Sequence, residues 1–339
     1  MEPVNLKRLA QELKLSVATV SRALNNSKSA SQETKARVLA MAQKLNYEPN
    51  PHASSLRRHN SKTIGVILPE VTNPFFSLVI DGIEEVARDN NYHVLIYLTH
   101  DNYQRELAIT RLLVGGRIDG VLISVASTSQ NFDHLDLLRQ RNIPTVFFDR
   151  VYDGLDTAQV TTDNYESSYA ATCHLIDNGC RTIAHLAVSN SLSIGRTRTQ
   201  GYVAALHQNG IPFDDELLLR AQTTKNQDVA MIQGLLQRRP DIDGIFASVE
   251  SLAMSSYEAC QNLGLSIVTD IKIIAFSNLE IASFLSPPLT TITQPAYTMG
   301  REAARILFEA LLENTPISAS HSLELKSTLV VRSSTLAVS

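Results

Sequence analysis

Cysteine is scarce in this 339-residue chain: Cys173, Cys180 and Cys260 are its three. Their spacing suits no metal-ligand set and their odd number argues against a disulfide framework, so they read as reduced core residues. No apolar run approaches the ~18 residues of a membrane span, and the opening residues, MEPVNLKRLAQ, lack the apolar stretch of a signal peptide. The expectation is a protein with no membrane partner that stays in the cytoplasm. Also missing are a phosphate-binding G-x-x-x-x-G-K loop, a G-x-S-x-G elbow, a G-x-G-x-x-G after a strand and any clustered His/Cys set, the nine histidines being scattered. These absences argue against an enzyme and leave no metal and no cofactor to expect.

What is present begins with 44% apolar residues over a length that suits two or three domains, enough for real cores. The net charge of −4 hides a segregation of sign. Residues 1–62 hold 11 Lys or Arg against 4 Asp or Glu, a balance of +7, and residues 63–339 hold 19 against 30, a balance of −11. A basic head on an acidic body fits a polyanion-binding module joined to a body that does not bind one. A solvated charged face is equally compatible with the charge count alone.

In the head, Leu6, Leu9, Ala10 and Leu13 have the i, i+3, i+4, i+7 spacing of one helical stripe. Ser16 is placed to cap a second helix from Val17, with Val20 and Leu24 inward, and Ser31 a third running to about Leu45, with Val38, Met41, Ala42 and Leu45 inward. The first two helices are separated only by Lys14-Leu15, which makes a helix-turn-helix unit. Glycine would be the easy residue in that turn, and a left-handed Lys14 costs roughly 1 kcal/mol. Then Asn50 and Pro51 read as the cap and first residue of a short basic helix with little to bury against, a linker that folds on binding.

From Thr63 short apolar runs alternate with helical stretches: strands at 64–68, 94–98, 120–124 and 145–149, helices near 75–90, 103–115 and 131–141. The pattern restarts after residue 160, with strands at 182–188, 244–248 and 272–276 and helices near 165–178, 196–209, 227–238 and 251–263. Buried strands alternating with helices mean parallel sheets, and two such lobes leave a cleft at the carboxyl ends of their strands.

Several motifs in order, LKRLAQELKLSVATVSRALN, NYEPNPHASSLRR, IGVILPEVTNPFFSLVIDGIE, HLIDNGCRTIAHL, RTQGYVAAL and PPLTTITQPAYTMGREAA, make the chain resemble a lactose repressor family transcription regulator over essentially its whole length. The fold expected is α/β: a three-helix helix-turn-helix head (1–48), a hinge helix (49–62), and a two-lobed parallel-sheet domain of periplasmic-binding-protein type (63–339). Its first lobe spans about 63–160 and 292–322 and its second about 161–291 and 323–339, the chain crossing near 160, 290 and 323. The resemblance implies a dimeric repressor on a pseudo-palindromic operator in double-stranded DNA, governed by a small metabolite in the cleft. No heptad repeat follows the last strand, so no tetramerising coiled coil is expected.

In the groove-facing helix, Val17, Ala18 and Arg22 come first; the arginine fork pairs with guanine O6 and N7, whereas Val17 and Ala18 meet thymine methyls. Arg22 also fits a phosphate contact. Ser16, Thr19, Ser21 and Asn25 match positions where the family grips phosphate. In the hinge the resemblance implies that paired Leu56 side chains wedge a central base step, with Arg57 in the minor groove, Ala53 small enough for two hinges to pack, and Asn50 as the cap.

For the effector, the matching positions are Phe75, Phe76, Asp149, Arg198, Val249, Ser277 and Gln294, although core packing accounts equally well for one of the two phenylalanines. Two departures stand out: Val249-Glu250 where the family commonly has Asn-Asp, and Ser277-Asn278 where it has Asp-Asp. Two hydroxyl acceptors are thereby lost, which turns the expectation toward a phosphorylated or carboxylated metabolite beside Arg150, Arg196 and Arg198. A sugar-related ligand, an empty cleft and a protein co-regulator stay open. Arg198→Ala is expected to abolish the effector response and spare DNA binding.

Overall fold

The computed structural model describes residues 5–24, 29–45, 47, 61–128, 131–152, 154–221 and 224–336. The expectations on Asn25, Asn50, Ala53, Leu56 and Arg57, and with them the hinge helix, lie outside the described residues. Internal contacts divide the chain between Ser61 and Lys62 into two units.

The first unit holds α1 (Leu6–Leu13), α2 (Val17–Leu24) and α3 (Gln32–Lys44). Asn5 caps α1, Ser16 receives the amide of Thr19, and Ser31 that of Thr34, so each start is fixed by a short polar side chain. Lys14 does take the left-handed conformation, at φ 54°, and the core that pulls the helices together is small: Leu9, Ala10, Leu13, Val20, Ala23, Val38 and Ala42. Met41, Leu45 and Leu24 pack on its edge.

In the second unit two six-stranded sheets are each flanked by helices. The first, in order β11-β5-β4-β3-β1-β2, consists of β1 (Thr63–Leu68), β2 (His93–Leu98), β3 (Gly120–Ile123), β4 (Thr145–Phe148), β5 (Gln159–Thr162) and β11 (Leu323–Leu325), with every described pairing parallel. It carries α4 (Pro74–Asp89), α5 (Tyr103–Leu113), α6 (Asp133–Gln140) and α11 (Ala296–Glu313). The second, β12-β10-β9-β8-β6-β7, consists of β6 (Ile183–Ala187), β7 (Leu218–Arg220), β8 (Gly244–Ala247), β9 (Lys272–Phe276), β10 (Thr290–Thr293) and β12 (Thr328–Val330). Its helices are α7 (Asn164–Asp177), α8 (Ser193–Gln208), α9 (Lys225–Arg238) and α10 (Glu250–Leu263). Only β12 runs antiparallel, against β10.

The lobe boundaries read from sequence need small corrections. Thr161 and Thr162 belong to β5 and Leu323–Leu325 to β11, both in the first sheet, while Ile292 and Thr293 belong to β10 in the second. The strands run up to the crossings, so the chain passes between lobes at about residues 163, 294 and 326. α4 and α11 approach backbone to backbone: a Cβ on Gly300 would stand 2.0 Å from the Val79 carbonyl oxygen, and one on Gly82 2.2 Å from that of Tyr297. Cys180 and Cys260 are buried, Cys173 is half-buried, and all three are free thiols. Among the described residues no helix is long and apolar enough to cross a membrane.

Candidate functional site

On the first unit, the start of α2 presents Ser16, Val17, Ala18 and Arg22 to solvent, Val17 with 37% of its surface exposed. The buried faces of the same helix are Val20 and Ala23, so the apolar and presenting sides are separated as one turn of helix requires. Arg22 folds back to donate from Nε to the Ala18 carbonyl at 3.2 Å while the residue stays exposed. Ser16 and Thr19 share a 2.8 Å hydroxyl contact, and Thr19 and Ser21 are half-buried. The arrangement offers a guanidinium, small apolar contacts and partly exposed hydroxyls along the two turns of α2.

The second site is a cavity between the lobes of the second unit. All seven residues anticipated for the cleft line it: Phe75, Phe76 and Asp149 from the first lobe, Arg198, Val249 and Ser277 from the second, and Gln294 at a crossing. Each stands just past the carboxyl end of a strand or on the helix that follows: β1 leads to the phenylalanines, β4 to Asp149, β6 to Arg198, β8 to Val249, β9 to Ser277 and β10 to Gln294. That is where the crevice of a parallel sheet lies. Phe75 and Phe76 meet edge to face at 5.2 Å and both also belong to the core of the first lobe, so each serves packing and lining together. Asn73, Arg150, Ile194, Glu250 and Phe276 complete the lining.

Arg198 dominates the interior. It is 2% exposed, donates from Nε to Asn164 Oδ1 at 2.7 Å and from Nη1 to the Ser248 carbonyl, and lies over the Phe276 ring at 3.7 Å. Burial draws its pKa down to about 10, opposed by the Asp149 carboxylate, so it stays charged at neutral pH. Asp149 is 5% exposed and sits in a left-handed backbone, φ 57°, a strain that a non-glycine residue keeps only where its surroundings over-determine it. Its pKa is raised by burial and pulled back by Arg150, Arg198 and a hydrogen bond from Gln294. Arg150 pairs with Asp101 at 2.5 Å and has Asp149 at 4.0 Å. Both guanidiniums of the cavity therefore already face carboxylates.

The departures at 249 and 277 have a consequence that the linear sequence hid. Val249 packs with apolar neighbours, and the next residue, Glu250, brings its own carboxylate to the cavity wall. Oε1 of Glu250 accepts from the Asn278 amide at 2.5 Å and from Ser277 Oγ at 3.5 Å, so the short serine leaves room for it. An acceptor is thus replaced rather than lost. The only sequence signal was the acid adjoining Val249, and it needed the contact with residues 277 and 278 to acquire meaning.

The free volume is about 40 Å³, against roughly 300 Å³ or more for a pocket that holds a small ligand. The lobes are closed on one another: Val188, Leu192 and Ile194 of the second lobe join Val125, Leu135 and Val151 of the first in one apolar cluster. Ser191 Oγ donates to the Ser127 carbonyl at 2.5 Å, and the Val151 amide to Ser193 Oγ at 3.3 Å.

Residues 61–332 match the family model described as periplasmic binding proteins and sugar binding domain of LacI family, and residues 5–50 match bacterial regulatory proteins, lacI family. The chain is 33% identical over 334 residues to the HTH-type transcriptional repressor CytR of Escherichia coli (strain K12), covering 98% of this chain and 96% of that one. Among solved structures it resembles the complex of the transcriptional regulator CelR with cellobiose (TM-score 0.74, 25% identity, 98% and 99% of the two chains). It also shares the fold of the lac repressor dimer bound to operator and an anti-inducer (TM-score 0.84, 23% identity, 99% and 100%).

Proposed function

Because this chain belongs to the LacI family of bacterial regulatory proteins, we propose that it is a sequence-specific repressor that binds a pseudo-palindromic operator as a homodimer in the cytoplasm and is released or tightened by a small metabolite in the interlobe cavity. The observation that carries the DNA reading is the exposed face of α2, with Val17 and Ala18 outward in its first turn and Arg22 outward in its last, on a helix-turn-helix head that is itself basic. Arg22 is the base reader; Ser16, Thr19, Ser21 and Asn25 hold phosphate; Asn50, Ala53, Leu56 and Arg57 form the hinge that meets the minor groove. One head covers one half-site, so two-fold symmetry in the protein implies two-fold symmetry in the site.

Phe75, Phe76, Asp149, Arg198, Val249, Ser277 and Gln294 form the effector site. An anionic metabolite, the expectation from sequence, finds no spare cation there among the described residues: Arg150 faces Asp101, Arg198 faces Asp149, and Glu250 adds a further carboxylate. A neutral, hydroxylated ligand of the sugar type suits acceptors on both walls and aromatic faces between them. The CelR complex with cellobiose and the sugar-binding description of the matched domain support the same class. Such a ligand acts only by its difference in affinity between open and closed lobes. The small free volume is the observation on the side of a second reading, a regulator answering to a protein partner. Selection of bound genomic fragments by the full chain, with and without a panel of neutral and phosphorylated sugars, tests both. A shared palindromic motif lost or gained with a neutral sugar is expected. No enriched motif would overturn the DNA reading, and a motif indifferent to every metabolite would favour the protein partner.

A further inference from the structure

Glu250 is the acid in this cavity without a cation. It is 8% exposed, and among the described residues no Lys, Arg or His lies within ion-pair distance of it. Its Oε1 is held by the Asn278 amide, and Asn278 is fixed in turn by donating Nδ2 to the Gln294 carbonyl at 2.7 Å and by accepting the Gln294 amide at 3.3 Å. No described protein group donates to Oε2, on a side chain that lines the cavity. The carboxylate is the first residue of α10, where a helix N-terminus favours negative charge. Burial works against that charge, and so does Glu70 of the first lobe; together they hold the Glu250 carboxyl above its ordinary pKa.

Charged groups around the void are thus arranged unequally. Asp149, on the first-lobe wall, is answered by Arg198 and Arg150; Glu250, on the second-lobe wall, is answered by nothing but backbone and a hydroxyl. A buried acceptor with open lone pairs costs free energy until a donor fills them, and a negative wall rejects a phosphate or carboxylate approaching it. We infer that Glu250 is a specificity-determining residue of the effector site, accepting hydrogen from a hydroxyl or ammonium group of the ligand and excluding anionic ligands from the second-lobe wall. This rests on the reading of the cavity as an effector site. The ligand class that follows is one with donor groups at both ends, one facing Asp149 and one facing Glu250, and with no acid group.

The test is titration calorimetry of the full chain with D-ribose, D-glucose, D-glucosamine, D-ribose 5-phosphate and D-glucosamine 6-phosphate, on the unchanged protein and on Glu250→Gln. Glutamine keeps an acceptor for the Asn278 amide, and a melting curve checks that the variant folds. At least one unphosphorylated compound is expected to bind and its ester not to, with Glu250→Gln weakening the binder at least tenfold. Glucosamine binding more tightly than glucose identifies the donor as ammonium, and the reverse as hydroxyl. Preference for an ester, an affinity untouched by Glu250→Gln, or no binding by any unphosphorylated compound overturns the inference. Motif enrichment by the same preparation reports separately on the DNA reading.

Discussion

Replacing Arg198 by methionine tests how far the cavity is a structural element as well as a site. The stem volume is largely kept, while the guanidinium loses its bonds to Asn164 Oδ1 and the Ser248 carbonyl and its place over Phe276. Charge-assisted hydrogen bonds contribute about 1.5–3 kcal/mol each, and a desolvated cation over an aromatic ring about 2 kcal/mol. Against these stands the recovered desolvation of a buried ion, several kcal/mol, so the net cost is about 3–5 kcal/mol, the usual figure for removing one partner of a buried pair. Much of it is the penalty of leaving Asp149 buried with a weaker partner. Asp149 already has a raised folded pKa, and losing Arg198 raises it further. An acid with a raised folded pKa binds more protons folded than unfolded between its unfolded and folded values, so stability falls as pH rises through that interval. The deficit of Arg198→Met should therefore shrink as pH is lowered into the ordinary carboxylate range, and Asp149→Asn in the same background should recover part of it at neutral pH. Urea denaturation followed by far-ultraviolet circular dichroism measures both. A deficit below about 1 kcal/mol, or one that does not change with pH, would refute the account. A loss of this size would also lower the amount of folded protein, so the effector response and DNA binding of an Arg198 variant are to be compared per folded molecule.

Arg22→Ala should cost about 1–3 kcal/mol on the preferred operator and relax base choice at one position per half-site, measured by fluorescence anisotropy on a set of single-base operator variants; equal weakening on every sequence would make Arg22 a phosphate contact. Gly300→Ala sets a methyl against the Val79 backbone and forces α4 and α11 apart, which should lower stability by about 1–3 kcal/mol, the range for overpacking, with a matching fall in thermal midpoint; an unchanged midpoint would mean that the helix pair yields freely. Phe284, 86% exposed beside the 55% exposed Ile281, is the most open large apolar side chain among the described residues. For the proposed homodimer, Phe284→Asp should raise the dissociation constant at least tenfold, about 1.4 kcal/mol, in analytical ultracentrifugation, and an unaltered constant would put the contact of the proposed dimer elsewhere.

The parts of this fold that could be read from sequence are those in which a local pattern decides the structure. Ser16 and Ser31 announce helix starts because their oxygens have one nearby amide to satisfy, and β1, β3, β8 and β9 announce themselves as short apolar runs because they are buried on both faces. β5 and β10, with Thr-rich runs, and the three-residue β7, β11 and β12 carry too little pattern to be recognised; they exist because a neighbouring strand offers its edge. α11 was visible as a motif and not as an element, although its glycine contact with α4 organises the first lobe. The cavity was legible in its membership through resemblance, its seven residues following the carboxyl ends of six strands. Its electrostatics were not, because the contact of Glu250 with Ser277 and Asn278 and the ion pair of Arg150 with Asp101 each join residues far apart in the chain.

Three crossings make each lobe a mosaic of distant segments, and that bears on how the protein is synthesised. β11, at the border of the first sheet, is supplied by Leu323–Leu325, and β12, at the border of the second, by Thr328–Val330. A nascent chain halted before Leu323 leaves both sheets short of a border strand at once. Neither lobe can be completed while the other is still being translated, and the long-range pairing of β5 with β11 is of the kind that slows folding. The described core of the three-helix head comes from the first forty-odd residues, so the head is free to form as soon as it leaves the ribosome. The helix-turn-helix head therefore exists before the lobes do, and premature termination of translation would yield heads without the cavity assigned above to the effector.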